Sequence, residues 1–347
     1  MKPTRAPTHL ALTMGDPAGI GPEIIVKAAR ALAPRLSAGD LGLLVIGSRS
    51  ALESARAAFA PTLAIPEVRA DDPAWPPLAI VEAAPEREII APGVVSPAAG
   101  RLAYHAVERA VRLALAGRVG GIVTAPLNKE ALNLAGFHYP GHTEMLADLT
   151  GVRGSVMMLA HGPFRVSHVS THIALADVPK RLTPERLRRV IDLTRAALID
   201  LGVPRPRIAV AALNPHAGEG GLFGREDIEI TAPLVADYAA GGLDISGPVP
   251  ADTIFVKLRA GQYDAAIAMY HDQGHIPVKL LGFDVDPATG RFEALSGVNV
   301  TLGLPIVRTS VDHGTAFDIA GRGVANEKSL LEAIAFAERL AAAPKRG

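Results

Sequence analysis

Short apolar runs alternate with helical patterns along most of the chain. The runs at 9–14 and 43–46 are mostly apolar and end at glycine-containing turns, which is typical of buried strands. A helix is predicted after each run, from Pro22 in the first case and through 51–58 in the second, because Pro is favoured at the first helical position and Glu23 stabilises a helix start. Further strands are predicted at 121–124, 208–213, 265–270 and 298–302.

Two longer helices are each marked by a capping residue followed by proline. Ser96 precedes Pro97, and Thr183 precedes Pro184. The apolar stripe of the first helix consists of Leu102, Ala106, Ala110 and Leu113, and that of the second consists of Leu187, Val190, Ile191, Thr194 and Leu198. The arginines predicted to face solvent on the second helix are Arg186, Arg188, Arg189 and Arg195. This alternation of strands and helices predicts an α/β fold with a mainly parallel sheet, which binds ligands at the carboxyl ends of its strands.

Composition fits this fold class and narrows the kind of partner. Hydrophobic residues make up 49% of the 347 residues and aromatic residues only 4%, so Ala, Val, Leu and Ile fill the core, as a buried parallel sheet requires. Lys and Arg together number 35, as do Asp and Glu, and no basic run stands out, which argues against a nucleic-acid or membrane-surface partner. A small molecule is the expected partner. One large unit and two domains both fit the length.

The absence of cysteine removes several kinds of chemistry. The chain can form no disulfide, thiolate zinc site, iron–sulfur cluster or cysteine nucleophile, so any metal is bound by the 11 His or by carboxylates. The basic N-terminus is not followed by an apolar segment long enough for a signal peptide, and no apolar run reaches the ~18 residues needed to span a membrane. The protein is therefore predicted to be soluble and cytoplasmic.

Seven short segments concentrate Gly, Pro, His, Asn and Asp where predicted strands end. The segments are MGDPAGIGPE at 14–23, TAPLNK at 124–129, YPGHTE at 139–144, STHI at 170–173, LNPHAGEGG at 213–221, MYHDQGHIP at 269–277 and RTSVDHGT at 308–315. Six are expected just after a strand, and the seventh is expected to follow the last strand. Loops at the carboxyl ends of parallel strands bind ligands in α/β proteins, so this distribution favours an enzyme over a scaffold.

Three histidines each end a strand-like run. His172, His216 and His271 lie far apart in sequence, unlike the ligands of a local metal motif. If the fold brings them together, three imidazoles would bind a divalent metal and leave open positions for a substrate oxygen. Taken singly, each is more simply explained as a loop-capping or hydrogen-bonded histidine, and sequence spacing leaves both interpretations open. The histidines interpreted as structural are His9, His105, His138, His161 and His168.

The glycine-rich turns do not form a standard dinucleotide motif. Gly15, Gly19 and Gly21 do not match G-x-G-x-x-G, so a Rossmann-type site is disfavoured. The helix start at Pro22 could hold an anion or simply close a tight turn. The candidate anion ligands, each of which could also be a solvated surface residue, are Lys129, Lys279 and Arg308.

The seven segments, in this order, resemble the 4-hydroxythreonine-4-phosphate dehydrogenase family, the PdxA family of vitamin B6 biosynthesis. The resemblance runs from about residue 13 to about residue 323, nearly the whole chain. It implies an α/β fold like that of isocitrate and isopropylmalate dehydrogenases, in which two lobes with a mainly parallel sheet flank a central cleft. We expect lobe one to combine 1–135 with 276–347 and lobe two to hold 136–275, because the motifs come from both halves of the chain.

The resemblance also implies roles for individual residues. It places a divalent metal, Zn²⁺, Mg²⁺, Mn²⁺ or Co²⁺, at the interface of a homodimer, bound by His172 and His216 of one chain and His271 of the other. NAD or NADP is the other implied cofactor, and its binding residues are unknown. The implied substrate-binding residues are His142, Thr143, Lys279, Asn299 and Arg308, and the implied catalytic residues are Lys279, Asp252 and Asp272.

The reaction implied by the family is oxidation of the 3-hydroxyl of 4-phosphooxy-L-threonine, followed by decarboxylation to 3-amino-2-oxopropyl phosphate, a step of pyridoxal phosphate biosynthesis. A divalent metal beside the hydroxyl would lower the hydroxyl pKa and then stabilise the enolate left by loss of CO₂. Lys279 and Arg308 would neutralise the carboxylate or phosphate of this small phosphorylated hydroxyacid, and Lys279 could also donate a proton.

One segment departs from the family pattern and leaves the substrate open. The stretch 280–298 is several residues longer than in the family members taken as the pattern, and it carries either new specificity residues or an exposed, solvated hairpin. The candidate specificity residues are Asp284, Asp286, Arg291 and Glu293. The same chemistry on 4-phospho-D-threonate, 4-phospho-D-erythronate or a diol carboxylate is therefore an alternative. A more distant alternative is an acyl-phosphate transferase of similar fold, which would not use a histidine metal site.

Overall fold

In a computed structural model, which describes residues 9–84, 89–288 and 292–344, the protein folds as two compact units. Unit 1 comprises Met1–Arg153 and Leu304–Ala342, and unit 2 comprises Gly154–Gly303 and Ala343–Gly347. Within the described ranges, no helix is both long and apolar enough to cross a lipid bilayer. The boundaries near 153 and 303 differ from the lobe boundaries expected near 135 and 276, and the division into functional lobes stays a prediction.

Unit 1 is built from repeated strand and helix pairs. In chain order its elements are β1 (His9–Thr13), α1 (Gly21–Ala31), α2 (Ala33–Ser37), β2 (Gly42–Gly47), α3 (Arg49–Phe59), β3 (Leu78–Glu82), α4 (Pro97–Leu115), β4 (Gly121–Thr124), α5 (Lys129–Leu134) and α6 (His142–Thr150). The strands pair in parallel in the order β3-β2-β1-β4. As predicted, Ser96 caps α4 by accepting a hydrogen bond from Ala99 N, and the apolar stripe of α4 is buried.

Unit 2 combines antiparallel and parallel pairing. Its elements are β5 (Val156–His161), β6 (Phe164–His168), α7 (Val178–Arg181), α8 (Pro184–Asp200), β7 (Ile208–Ala211), α9 (Ala232–Ala240), β8 (Ile245–Val249), α10 (Ala251–Arg259), β9 (Ala265–Ala268), α11 (His271–Gly282), β10 (Phe283–Val285), β11 (Phe292–Leu295) and β12 (Val298–Leu302). Strands β12, β5 and β6 pair antiparallel, and β6, β9, β7 and β8 pair in parallel in that order.

The chain then returns to unit 1 through β13 (Arg308–Val311) and α12 (Lys328–Ala341). Strand β13 pairs in parallel with β4. Most strand pairs in the described residues are parallel, and helices alternate with them, so the predicted α/β class with a mainly parallel sheet is confirmed.

Four local expectations need correction. The proline-rich stretch 61–85, expected to be irregular, contains β3, because its short apolar run pairs with β2. The segment at 139–144 follows helix α5 rather than a strand and runs into the first turn of α6, and the segment at 308–315 begins inside β13 rather than after the last strand. Arg186, expected to face solvent, is half buried because it donates hydrogen bonds to the carbonyl oxygens of Val169 (2.8 Å) and Gly154 (3.2 Å).

The longer stretch at 280–298 contains an antiparallel hairpin formed by β10 and β11. Asp284 on β10 is exposed, and Asp286 accepts a hydrogen bond from Ala288 N at 2.8 Å. Arg291 and the side chain of Glu293 lie outside the described residues. The part that is described fits a solvated hairpin, and a role in specificity stays a prediction.

Candidate active site

Two of the three histidines expected to bind metal lie close together in unit 2. His172 follows β6 in the chain, and His271 is the first residue of α11, directly after β9. Because β6 and β9 are parallel neighbours, their carboxyl ends meet at one edge of the sheet. The ring centroids of His172 and His271 are 5.7 Å apart. No three His, Asp or Glu side chains in the described ranges are spaced to hold a metal ion, so His216 does not complete a trio within one chain.

A carboxylate fixes the orientation of the His271 imidazole. Nδ1 of His271 lies 2.7 Å from Oδ1 of Asp272. An ionised carboxylate can only accept, so Nδ1 is the nitrogen that donates, and Nε2 keeps its lone pair. Metal-binding histidines in proteins are held by carboxylates in this way, and therefore the donor set fits a divalent metal. Asp272, expected near the reacting centre, is thus placed where it can orient a ligand.

Two further histidines, not expected at the site, pack behind His271 toward the core. His275 lies one helical turn later, with its ring stacked on that of His271 at 3.6 Å between centroids and 11° between planes. His168 lies behind it, at 4.8 Å between centroids. Burial lowers the pKa of His275 to about 4 and that of His168 to about 3, so both rings are neutral at pH 7. The i, i+4 spacing of His271 and His275 was a signal in the sequence that could have found the first of them.

His216 lies in a left-handed turn. Residues 216–220 all have positive φ, between 43° and 85°, although His216, Ala217 and Glu219 are not glycine. The left-handed conformation costs such residues about 1–2 kcal/mol each, and strain of this kind is typical of functional sites. The side chain of His216 is exposed, and its Nδ1 lies 3.6 Å from Oε2 of Glu219.

A buried carboxylate holds the start of this turn. Asp227, which is fully buried, accepts hydrogen bonds from Leu213 N at 2.8 Å and from Asn214 N at 2.9 Å. The side-chain amide of Asn214 donates to Glu226 Oε2 at 2.9 Å. Since these contacts satisfy backbone donors directly after β7, they fix the direction in which the segment with His216 leaves the sheet.

The other predicted residues of unit 2 occupy separate elements. Lys279 is on α11, with its Nζ 5.2 Å from the centroid of the Phe283 ring. Asp252 is exposed in the first turn of α10. Asn299 lies on β12, and its buried Oδ1 has no hydrogen-bond partner among the residues described. A buried acceptor of this kind is costly unless a ligand or water donates to it.

In unit 1, the buried Arg308 and the half-buried His142 form a polar cluster, and Thr143 follows His142 in the chain. His142 and Thr143 begin α6, whose N-cap residue Gly141 offers no capping side chain. His142 Nε2 is buried without a hydrogen-bond partner in the described part of the chain. Burial, together with the nearby positive charge of Arg308, holds the pKa of His142 well below its usual value. Burial also lowers the pKa of Arg308, to about 9, so at pH 7 the cluster combines a neutral imidazole with a charged guanidinium. This arrangement can bind an anion.

The turn between β1 and α1 contains a second buried group that sequence analysis did not single out. Asp16 accepts a hydrogen bond from Ala18 N at 2.8 Å through Oδ1, while its buried Oδ2 has no partner among the described residues. Burial raises the pKa of Asp16 to about 6, partly offset by the bond from Ala18. A cavity of about 230 Å³ lies beside this turn, lined in part by Gly19, Ser54 and Phe59.

The chain is similar to known proteins in both sequence and fold. The model of the family "Pyridoxal phosphate biosynthetic protein PdxA" matches residues 41–337. A provisionally named D-threonate 4-phosphate dehydrogenase of Bradyrhizobium diazoefficiens is 72% identical over 96% of this chain and 97% of that protein. The D-threonate 4-phosphate dehydrogenase of Salmonella typhimurium is 48% identical over 96% of this chain and 98% of that protein. The crystal structure of 4-hydroxythreonine-4-phosphate dehydrogenase from Klebsiella pneumoniae is 43% identical, with a TM-score of 0.78, and covers 97% of this chain and 99% of that chain.

The α/β fold and these similarities define the protein as an oxidoreductase of the dehydrogenase class. The chain belongs to the PdxA family. Membership implies a nicotinamide cofactor and a divalent metal, and the imidazoles of His172 and His271 are suitable ligands for such a metal.

Proposed function

We propose that the protein is a D-threonate 4-phosphate dehydrogenase, the alternative substrate class rather than the 4-phosphooxy-L-threonine first expected. The observation that carries this proposal is the 72% identity to the Bradyrhizobium protein over nearly the full length of both chains, compared with 43% to the Klebsiella 4-hydroxythreonine-4-phosphate dehydrogenase. The two substrates differ at carbon 2, where threonate has a hydroxyl and threonine an amino group. Oxidation of the 3-hydroxyl by NAD(P)⁺ yields a β-keto acid, and loss of CO₂ then leaves dihydroxyacetone phosphate.

Different side chains are proposed to bind the anionic substrate, to orient the metal ligand and to return the proton. Arg308 supplies a positive charge at pH 7 for the phosphate or carboxylate, and the neutral His142 beside it can donate a hydrogen bond without adding charge. A bound divalent cation would lower the pKa of the substrate hydroxyl and stabilise negative charge on the substrate. Asp272 keeps the His271 imidazole in the tautomer that offers Nε2. Lys279 is proposed to return a proton to the carbon that loses CO₂.

We infer that two copies of the chain share each metal site. His172 and His271 of one chain are 5.7 Å apart between ring centroids, whereas His216 does not join them. This spacing favours a site made by His172 and His271 of one chain with His216 of the other. The expectation from the family resemblance grouped His172 with His216 instead. Both divisions require a homodimer with symmetric sites.

The unit 1 cavity beside the turn between β1 and α1 is proposed as the site of one end of the nicotinamide dinucleotide. It lies beside the turn that follows β1, at the carboxyl edge of a parallel sheet, where α/β proteins bind cofactors. Its volume of about 230 Å³ is below the ~300–1,000 Å³ of pockets that enclose a whole drug-sized ligand, so it would hold only part of the cofactor. Phe59 offers an aromatic face on which a planar group could pack.

The test is an assay of NAD(P)H absorbance with a panel of substrates. We expect 4-phospho-D-threonate to give the highest kcat/KM, with 4-phospho-D-erythronate, 4-phosphooxy-L-threonine and a cyclohexadiene diol carboxylate below it. Each substrate is measured with NAD⁺ and with NADP⁺, and product is identified by mass spectrometry. A higher kcat/KM for 4-phosphooxy-L-threonine would contradict the proposed substrate while leaving the dehydrogenase class intact.

A further inference from the structure

The backbone hydrogen bonds between β7 and β9 end before the two strands diverge. The parallel register pairs Ile208 with Ala265, Ala209 with Ala266 and Val210 with Ile267. The same register, continued, would place Ala212 opposite Met269. The side chain of Gln273 bridges these two residues instead. Its Oε1 accepts a hydrogen bond from Met269 N at 2.6 Å, and its Nε2 donates to the carbonyl oxygen of Ala212 at 2.9 Å.

This carboxamide connects the backbone of two segments that carry predicted metal ligands. Ala212 lies four residues before His216, and Met269 lies two residues before His271. Gln273 is buried, so both of its hydrogen bonds are shielded from water. The side-chain amide of Gln273 therefore replaces a direct backbone pairing between Ala212 and Met269, and it spaces the ends of β7 and β9 by the width of its carboxamide group.

The third predicted ligand is connected to the same point. Ser170 lies two residues before His172, and its hydroxyl donates to the carbonyl oxygen of Met269 at 2.8 Å. The carbonyl oxygen of Met269 thus accepts a hydrogen bond from Ser170, and its amide N–H donates one to Gln273. A displacement at Gln273 would therefore reach the segments of all three histidines.

We propose that Gln273 is a positioning residue, which fixes where the ends of β7 and β9 leave the sheet and thereby sets the affinity of the enzyme for its divalent metal. The His216 and the His271 that follow these ends contribute to different sites of the dimer, so each site depends on Gln273 of both chains. The inference rests on the proposed function, in which His216 and His271 are metal ligands. Loss of the carboxamide leaves a buried N–H and a buried C=O without partners, so the strand ends must close on each other or admit water. Either change moves the histidines, and metal–ligand distances in proteins lie within about 0.2 Å of their standard values, so a displaced imidazole binds the metal less well.

The test measures Co²⁺ binding to the metal-free, full-length protein by calorimetry and by the visible absorption of the bound ion. Gln273→Met keeps the length of the side chain but removes its donor and acceptor. We expect the Co²⁺ affinity to fall about 10–100-fold, the usual effect of losing a residue that orients a ligand, and the absorption bands to shift. The matched control is Thr194→Val, which removes the buried hydrogen bond from Thr194 to Ser167 (2.7 Å) in the same unit. It should lower the free energy of unfolding and leave Co²⁺ binding unchanged.

The possible outcomes separate this inference from the proposed function. Unchanged Co²⁺ affinity and spectrum in folded Gln273→Met would overturn the inference, even if the protein were less stable, because the residue would then be merely structural. His216→Ala is measured in parallel. If it binds Co²⁺ like the wild type, the proposed metal ligands are wrong and the inference falls with them. If it loses Co²⁺ while Gln273→Met keeps it, only the inference is wrong. Should Gln273→Met not fold, Gln273→Asn, which is too short to reach both groups, is measured in the same way.

Discussion

Nη2 of Arg308 donates a hydrogen bond to Oγ1 of Thr124 over 2.8 Å, at a position where the arginine is only 2% exposed. Thr124 ends β4 and Arg308 begins β13, so the bond joins two neighbouring strands. One arm of the guanidinium fork is thereby fixed in direction, which reduces the entropy that must be lost when an anion binds.

Arg308→Lys should raise KM for the phosphorylated substrate at least tenfold, about 1.4 kcal/mol of binding free energy, because a planar fork is replaced by a point charge on a flexible stem. Steady-state kinetics with varied substrate give the value. Arg195→Lys on the exposed face of α8 is the matched control and should leave KM unchanged. Similar effects at the two positions would mean that Arg308 is not part of the anion site.

Asp272→Ala should weaken metal binding about 10–100-fold, because His271 loses the carboxylate that orients its ring. Chelation should abolish NAD(P)H formation by the wild-type enzyme, and Mg²⁺, Mn²⁺, Co²⁺ or Zn²⁺ should restore it. We expect saturating metal to restore kcat in Asp272→Ala as well. A kcat that stays low at saturating metal would assign Asp272 to the reaction itself, and full activity in a sample shown to be metal-free would exclude a metal requirement.

Pairs of inactive variants should reveal how the chains share the metal ligands. Random assembly of two variants makes about half of the dimers mixed. If the two lost ligands come from different chains, each mixed dimer keeps one intact site, so co-expressed His172→Ala and His216→Ala should recover roughly a quarter of wild-type activity. Under our assignment, His172→Ala with His271→Ala should recover none. The reverse pattern would support the division that groups His172 with His216, and native mass spectrometry confirms that mixed dimers are present.

The stability of the protein should fall as pH rises through the titration range of Asp16. Burial raises the pKa of this carboxyl from 3.8 to about 6 in the folded state, so between these values the folded chain binds more protons than the unfolded chain. The stabilisation by the neutral form is complete below pH 3.8 and lost above about pH 6, an effect of about 3 kcal/mol. Asp16→Asn should remove this component, which urea denaturation at pH 5 and pH 8 can measure. Equal pH dependence in wild type and Asp16→Asn would contradict the assignment.

Filling the cavity of unit 1 should affect the cofactor and leave the substrate unaffected. Ser54 lines the cavity from α3, and Ser54→Trp should raise KM for NAD(P)⁺ at least tenfold without changing KM for the phosphorylated substrate. Ala57→Trp places the same side chain on an exposed position of the same helix that does not line the cavity, and it should change neither constant. An unchanged cofactor KM in Ser54→Trp would place the dinucleotide elsewhere.

Elements with a strong local signal were predictable from sequence. The cap at Ser96 and the stripe from Leu102 to Leu113 define α4 within a single stretch of chain, and the structure has that helix where it was expected. The hairpin of β5 and β6 was not predicted, because its antiparallel pairing depends on partners elsewhere in the sheet. The position of Arg186 was missed for the same reason, since its acceptors Val169 and Gly154 are distant in sequence.

The candidate site was predictable only in part. The glycine- and histidine-rich segments identified the residues that could carry chemistry, because α/β proteins bind ligands in the loops at the carboxyl ends of parallel strands. Sequence could not show that His172 and His271 approach each other within one chain while His216 does not. The sequence also gave no indication of the role of Gln273. In sequence it looks like any polar helix residue, and its bridging role is visible only once its partners Met269 and Ala212 are known.

The left-handed turn at 216–220 determines which replacements this segment can accept. A side chain at positive φ crowds the following carbonyl oxygen, least for glycine and most for β-branched residues. At Gly218 an added Cβ would also lie 2.8 Å from the carbonyl oxygen of Gly224, so only glycine fits. Ala217 also has a positive φ, of 54°, so glycine, asparagine or aspartate suits its backbone better than valine or isoleucine does. In a library of variants at positions 217–220, the yield of folded protein would therefore follow backbone conformation rather than the size or charge of the side chain.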